Sequence, residues 1–284
     1  MTLIGQVAEL YRYPVKSMLG ERLEACAVEA RGLSGDRTHA LIDAVTSKVA
    51  SAKRPQLWRD LLSFAAMTIG GETASVAPTI QIRLPDGRTM FANDPGIDAV
   101  LSEALGRSVR MAATIPEGIE IERSHPDEVL SAGVASAVTF DTMTLAAAAP
   151  TGGFFDYAPV HVMAQASFDR IAAAAPDSAI DIRRYRPNLV IADVDEPFAE
   201  NAWLGRSLCV GDALVLRIVA PTPRCAIPTL AQCGLPAEPR ALRAVADLNR
   251  AEFPGFGLQP CLGAYAEVVT AGHIRFGDAV RFLN

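Results

Sequence analysis

A chain of 284 residues, half of them hydrophobic and a fifth charged, has room for two compact units or one domain with a large insertion, and its composition excludes a disordered or fibrous protein. A net charge of −6 and a pI near 5.3 argue against broad nucleic-acid binding, which needs many Lys and Arg, but remain compatible with a local basic pocket. There is no uncharged apolar run of membrane-spanning length and no basic n-region at the start, so no membrane segment is expected and the cytoplasm is the expected compartment.

In chain order, the first 92 residues predict short strands over 4–13, 22–30, 39–44, 64–69, 79–84 and 88–92, the last two joined by the turn Pro85-Asp86-Gly87. A helix is expected over 94–106, where Ile97, Val100, Leu101 and Leu105 recur at helical spacing before Gly106. Residues 114–135 mix turn residues with charge and read as a connector or surface loop. This places a boundary near 115, with one unit over 1–115 and a second over 116–284. The second unit predicts helices over 165–175 and 239–250, strands over 188–193 and 213–220, and a closing hairpin of 263–269 with 275–283. Strands dominate without regular strand–helix alternation. The expected fold is therefore mainly β (α+β), an antiparallel barrel with peripheral helices, and the N-terminal unit is a hairpin-rich β module.

The five cysteines form an odd set without a C-x-x-C pair, which gives no support to zinc ribbons, iron–sulfur clusters or disulfide frameworks. Cys225 stands out. Arg224 beside it favours the thiolate, and Pro223 and Pro228 place it in a stiff loop after a strand; the alternative is a buried, inert thiol. Cys26 and Cys209 alternate with apolar neighbours and read as core, whereas Cys233 and Cys261 are undecided. Three cationic motifs accompany Cys225: Lys16 and Ser17 in YPVKS, Arg37 in GLSGDR, and Arg183, Arg184, Arg186 and Asn188 in RRYRPN. Each alone reads as solvated surface. Together they suit one anionic ligand, because Arg forks match phosphate, Lys adds a point charge, and Ser and Asn add neutral hydrogen bonds. The four histidines show no metal-ligand spacing, and no phosphate loop, nucleophile elbow or dinucleotide fingerprint occurs.

In this order the segments LYRYPVKSMLGE, GLSGDR, RRYRPNLVI, PFAENAW, RCAIPT and LGAYAEVVTAGHIRFGDAV resemble those of MOSC proteins, relatives of the C-terminal domain of molybdenum cofactor sulfurase. The likeness is to the two-part subgroup with an N-terminal β-barrel module, which includes the mitochondrial amidoxime-reducing component and its bacterial counterparts. It spans residues 4 to 282, with little motif between 50 and 150. The resemblance implies a molybdenum cofactor with Cys225 as metal ligand and catalytic residue. It implies that Lys16, Ser17, Arg37, Arg186 and Tyr265 hold the pterin and its phosphate, with Arg184, Asn188, Arg224 and Asp156 in second rank. A departure lies beyond Arg224-Cys225, where Leu230 and Ala231 stand in place of an acidic turn. The implied reaction is reduction of small N-hydroxylated compounds with electrons from a separate reductase or ferredoxin-type protein. The alternative is a carrier of the cofactor, or of a persulfide on Cys225.

Overall fold

The computed structural model describes residues 1–70, 78–115, 118–134, 136, 138–144 and 152–283. Seven strands close into a barrel: β1 (Thr2–Arg12), β2 (Val160–Ala164), β3 (Leu189–Ala192), β4 (Ser207–Val210), β5 (Leu214–Pro223), β6 (Gly257–Thr270) and β7 (Ala279–Phe282). Around the ring they run β2-β3-β1-β7-β4-β5-β6 and back to β2. A closed ring with an odd number of strands cannot be antiparallel throughout, and the one parallel pair is β2–β3. That pair needs a crossover, supplied by the helix Gln165–Ala173 and the 3-10 turn Ile182–Tyr185.

The fold is mainly β, with an antiparallel barrel and peripheral helices as expected; the parallel pair is the one exception within the barrel. Val7, Leu10, Val160, Val162, Leu189, Ile191, Leu216, Ile218, Ala264, Ala266 and Val280 fill the interior, so the lumen is a packed core. Met163 and Val190 alternate with these inward residues. They face outward instead, against Ile171, Ala241 and Val245 of the helices Gln165–Ala173 and Arg240–Leu248. Covering on both faces explains why every residue of β2 is buried.

The remaining N-terminal residues form smaller sheets around a second core of Leu41, Trp58, Leu61, Phe64, Ile82 and Leu101. Ala40–Asp43 pairs with Val109–Ala112, and Ala65–Ile69, Thr79–Arg83 and Thr89–Phe91 form a three-stranded antiparallel sheet. The first strand of the chain sits apart from these, lying in the barrel between β3 and β7.

Several local expectations give way to tertiary pairing. The strand expected over 22–30 breaks at Glu24: Glu21–Leu23 pairs with β1, whereas Ala25–Glu29 pairs with Gly272–Arg275. Of the connector expected over 114–135, residues 116, 117 and 135 lie outside the described residues; the rest holds the strand Glu120–Ser124, paired with Phe140–Thr144, and the helix Pro126–Ala132. The closing hairpin does not form. β6 pairs with β5 and β2, and β7 instead closes the ring between β1 and β4, which leaves the barrel no free edge. Among the described residues no helix is long and apolar enough to cross a membrane.

Candidate functional site

Two N-terminal loops are zipped together beside the barrel. Arg37 N donates to Tyr13 O at 2.8 Å, Lys16 N to His39 O at 2.9 Å and His39 N to Pro14 O at 3.1 Å. This brings the YPVKS and GDR motifs into contact although twenty residues separate them. Ser17, Arg37 and Arg186 all adopt left-handed backbone angles, with φ of 64°, 50° and 54°. Such angles cost a non-glycine residue of the order of 1 kcal/mol or more, and three of them around one cavity mark a site where position outweighs local comfort.

That cavity is lined by Lys16, Ser17, Arg37, Asp156, Arg184, Arg186, Asn188, Arg224, Cys225 and Tyr265, so these ten meet there, whereas Arg183 of the same RRYRPN motif lies outside it, paired with Asp181. It also takes in Lys53, His161 and Thr222, among others that the sequence did not signal. Tyr265 and His161 alternate with the core-facing Ala264, Ala266, Val160 and Val162, and they therefore project from the outer face of the barrel wall. The cavity lies against that face, where β5 ends, the chain enters β3 and β1 runs on into the N-terminal loops.

Six cations, namely Lys16, Arg37, Lys53, Arg184, Arg186 and Arg224, line the cavity against one carboxylate, Asp156. In a chain of net charge −6 this is a strongly biased spot. Asp156 bridges both lysines, at 2.6 Å to Lys16 Nζ and 3.0 Å to Lys53 Nζ. Burial pushes the Asp156 carboxyl up, but the two ammonium groups outweigh it and hold the group well below the usual carboxylate range. Lys16, which also donates to Phe154 O at 2.7 Å, is pulled down to about 8 by burial, with Lys53 and Arg37 adding to the effect and Asp156 opposing it.

Arg37 pairs with Asp36 and donates to Asn188 Oδ1 at 3.2 Å. Among the described residues Arg186 donates only to Met18 O, at 2.8 Å, and its guanidinium lies 4.2 Å from the Tyr13 ring centroid. Burial lowers its pKa to about 10, leaving it charged at neutral pH.

Arg184 and Arg224 are bonded differently. Arg184, fully buried, donates to the carbonyls of Ala179 (2.8 Å), Pro228 (3.2 Å), Leu230 (2.9 Å) and Pro236 (2.5 Å). Arg224 donates to Thr222 O, to Tyr185 O at 2.7 Å, to Leu262 O at 2.5 Å and to His161 Nε2 at 2.8 Å. Since a guanidinium can only donate, His161 Nε2 accepts, which assigns the proton to Nδ1 and directs it to Arg186 O at 3.2 Å. Burial, then the Arg224 charge, holds His161 neutral, well below its usual range. Asn188 braces the barrel side. Its Oδ1 accepts from His161 N and its Nδ2 donates to Tyr11 O and Asp36.

Cys225, 7% exposed, lines the cavity while packing against Ala52, Leu62, Ile227 and Leu230. Thr222 Oγ1, also on the wall, is buried without a partner among the described residues. The Tyr265 hydroxyl donates to no described residue, and burial raises its pKa further above an already high value. Cys26, Cys209 and Cys261 are buried; Cys233 is exposed.

The local cue to Lys53 is Pro55 two residues on, the spacing that also separates Pro14 from Lys16. His161 is the only polar residue inside an otherwise apolar strand, and this was its one available cue.

Residues 150–281 match the MOSC domain, and residues 4–88 match the MOSC N-terminal beta barrel domain. The chain belongs to the MOSC-domain proteins that carry this N-terminal module. Over 99% of its length it is 25% identical to mitochondrial amidoxime-reducing component 1 of Homo sapiens, spanning 84% of that protein. The Mus musculus counterpart is 24% identical, with 83% of it covered. Among solved structures, the YUAD protein from Bacillus subtilis aligns over 98% of this chain and 94% of its own, with a TM-score of 0.45 and 11% identity.

Proposed function

We propose that the cavity holds a molybdenum pyranopterin cofactor with Cys225 as the protein ligand to the metal, and that the chain reduces N-hydroxylated compounds such as amidoximes and hydroxylamines. The observation that carries this reading is the meeting of six cations and a single thiol in one cavity of an acidic protein. The donor set suits the group. Arg37 and Arg186 keep guanidinium N–H groups with no partner among the described residues and so open to a phosphate, Lys16 and Lys53 add point charge, and the Thr222 hydroxyl, unpartnered among the described residues, and the Tyr265 hydroxyl offer neutral contacts. Among the described residues no cluster of three or more His, Cys, Asp or Glu could bind a bare ion. A metal held by one thiolate must bring its remaining ligands with it, as a pterin dithiolene does, and a soft sulfur ligand suits such a centre.

When bound, the cofactor supplies two-electron chemistry that accepts the oxygen of an N–O bond. This chain's residues supply position and charge. Lys16, Ser17, Arg37, Lys53 and Arg186 hold the anionic end, while Arg224, tied to three carbonyls and His161, fixes the backbone that presents Cys225. Arg184 acts further back by bracing residues 228–236. The two electrons come from a separate reductase or ferredoxin-type protein. The relatives named for amidoxime reduction support the reaction class.

Protein purified from a molybdenum-replete host is expected to contain molybdenum and pterin, and to convert benzamidoxime to benzamidine with a chemical reductant. Cys225→Ala is expected to lose this turnover. Absence of molybdenum would remove the reading. Metal and pterin without turnover would keep the cofactor and replace the reaction with a carrier role.

A further inference from the structure

A second cleft, of about 320 Å³, is lined by Tyr11, Tyr13, Arg22, Arg183, Gln232 and Cys233 among others. Tyr13, on the wall of this cleft only, meets Arg186 of the anion cavity with its ring, while its buried hydroxyl has no partner among the described residues. Gln232 is 6% exposed, and neither its amide nitrogen nor its amide oxygen has a hydrogen-bond partner among the described residues. Buried amides are almost always paired, so this side chain presents an unmet demand for both a donor and an acceptor. Next to it, Cys233 is the one exposed cysteine of the five. The turn that carries it is tight: Gln232 and Leu235 exchange backbone hydrogen bonds at 2.9 and 2.8 Å, and Gly234 takes φ of 78°. Arg22 lies at the rim and has no ion-pair partner among the described residues, whereas Arg183 is engaged by Asp181.

We propose that this cleft is a binding and modification site for a small anionic peptide disulfide, which Cys233 captures as a mixed disulfide. The three unassigned features match three parts of one such ligand. The Gln232 amide pairs with a peptide group, Arg22 attracts a carboxylate, and Cys233 meets the sulfur. In the reaction the Cys233 thiolate attacks one sulfur of the ligand's S–S bond, a new S–S bond forms to the protein, and the other half leaves as a thiolate. That thiolate takes up the proton Cys233 has lost. The protein thiol is oxidised and half of the disulfide is reduced, so electrons and protons balance, and a free thiol reverses the step. The site is independent of the reaction proposed for the anion cavity, although Arg184 ties residues 228–236 to the turn leading into Arg186.

The test exposes the full-length protein to oxidised glutathione (anionic), cystamine (cationic) or 2-hydroxyethyl disulfide (neutral), and follows the adducts by intact mass. Rates are normalised to those of an unstructured cysteine peptide. Cys233 is expected to react several-fold faster with oxidised glutathione than with cystamine, and Cys233→Ser to form no adduct. Arg22→Glu should cancel the preference, and Gln232→Leu should slow oxidised glutathione but not 2-hydroxyethyl disulfide. Equal normalised rates for the three disulfides in the wild-type protein would overturn the proposal and leave an exposed thiol only. The wild-type comparison decides even where a variant fails to fold, which thermal melting would reveal.

Discussion

Arg184 and Arg186 leave the same short turn two residues apart, yet the two regions of cavity wall they represent handle charge in opposite ways. On the barrel side, Arg184 and Arg224 give their donors to backbone carbonyls, four and three respectively, and so act as braces. On the other side, Arg186 and the N-terminal Lys16, Lys53 and Arg37 make few bonds to carbonyls and keep charge or donors free. A buried cation can therefore serve the fold or serve a ligand, and the number of carbonyls it satisfies separates the two.

The sharpest way to break this distinction is to remove one arginine from each side. Arg184→Leu strands four buried carbonyls and is expected to cost about 3–5 kcal/mol of stability, read from denaturant unfolding. Arg186→Leu loses one such bond and the contact with Tyr13, partly offset by removing a buried charge, and is expected to cost only about 1 kcal/mol. Its loss should appear instead in the binding of inorganic pyrophosphate. Equal destabilisation by the two variants would erase the contrast.

The second expectation concerns Lys16. With its pKa at about 8, this group is charged below that pH and neutral above it, so it attracts an anion at neutral pH and ceases to do so as the pH rises through about 8. Arg37 stays charged over this range, because Asp36 and Asp156 outweigh its burial and raise its pKa, and Arg186, with a pKa of about 10, begins to lose its proton only at the upper end. Pyrophosphate affinity, measured by calorimetry from pH 6.5 to 9.5, should therefore fall in one step. Lys16→Met should be weaker by roughly ten- to hundredfold at pH 7, which is about a third to two-thirds of the attraction between close charges at an effective dielectric near 20, and should show no step.

How far the site was legible in advance follows from the same contrast. Ten of the eleven residues singled out line one cavity: Lys16, Ser17, Arg37, Arg186, Arg224 and Cys225 stand near prolines or turn residues that mark loops, whereas Tyr265, in mid-strand, and Asp156 came only from the family resemblance. What the sequence does not carry is the bonding: the resemblance ranks Arg186 above Arg184, but nothing in RRYRPN says why, and only the positions of Pro228, Leu230 and Pro236 in space make Arg184 a brace. Lys53, in SAKRPQ, looks like surface until Asp156, more than a hundred residues away, is folded against it. Fold class followed from the density of strands, but strand pairing did not. Nothing local in residues 263–283 reveals that the last strand will close on the first, which is why a hairpin was the simpler reading.

A third expectation returns to the barrel side. The unfolded chain takes up a proton on His161 near pH 6.5, but the folded protein resists doing so, because burial and Arg224 hold the ring neutral. Stability is thus complete above pH 6.5 and lost as the pH falls below it, by up to about 1.4 kcal/mol per pH unit from this residue. His161→Gln should flatten that part of the stability profile. A slope unchanged in this variant would show that other groups are responsible.

The smallest effect is expected from Lys53→Met. Asp156 retains Lys16 as a partner, so the ion pair survives and one charge is lost from a cavity that has five more. Pyrophosphate should bind only a few-fold more weakly, as for a single partly screened charge. The informative quantity is the pH step. Lys53 contributes to lowering the Lys16 pKa, so its removal should move the step above pH 8, whereas a lysine that only brushed the surface would leave the step in place.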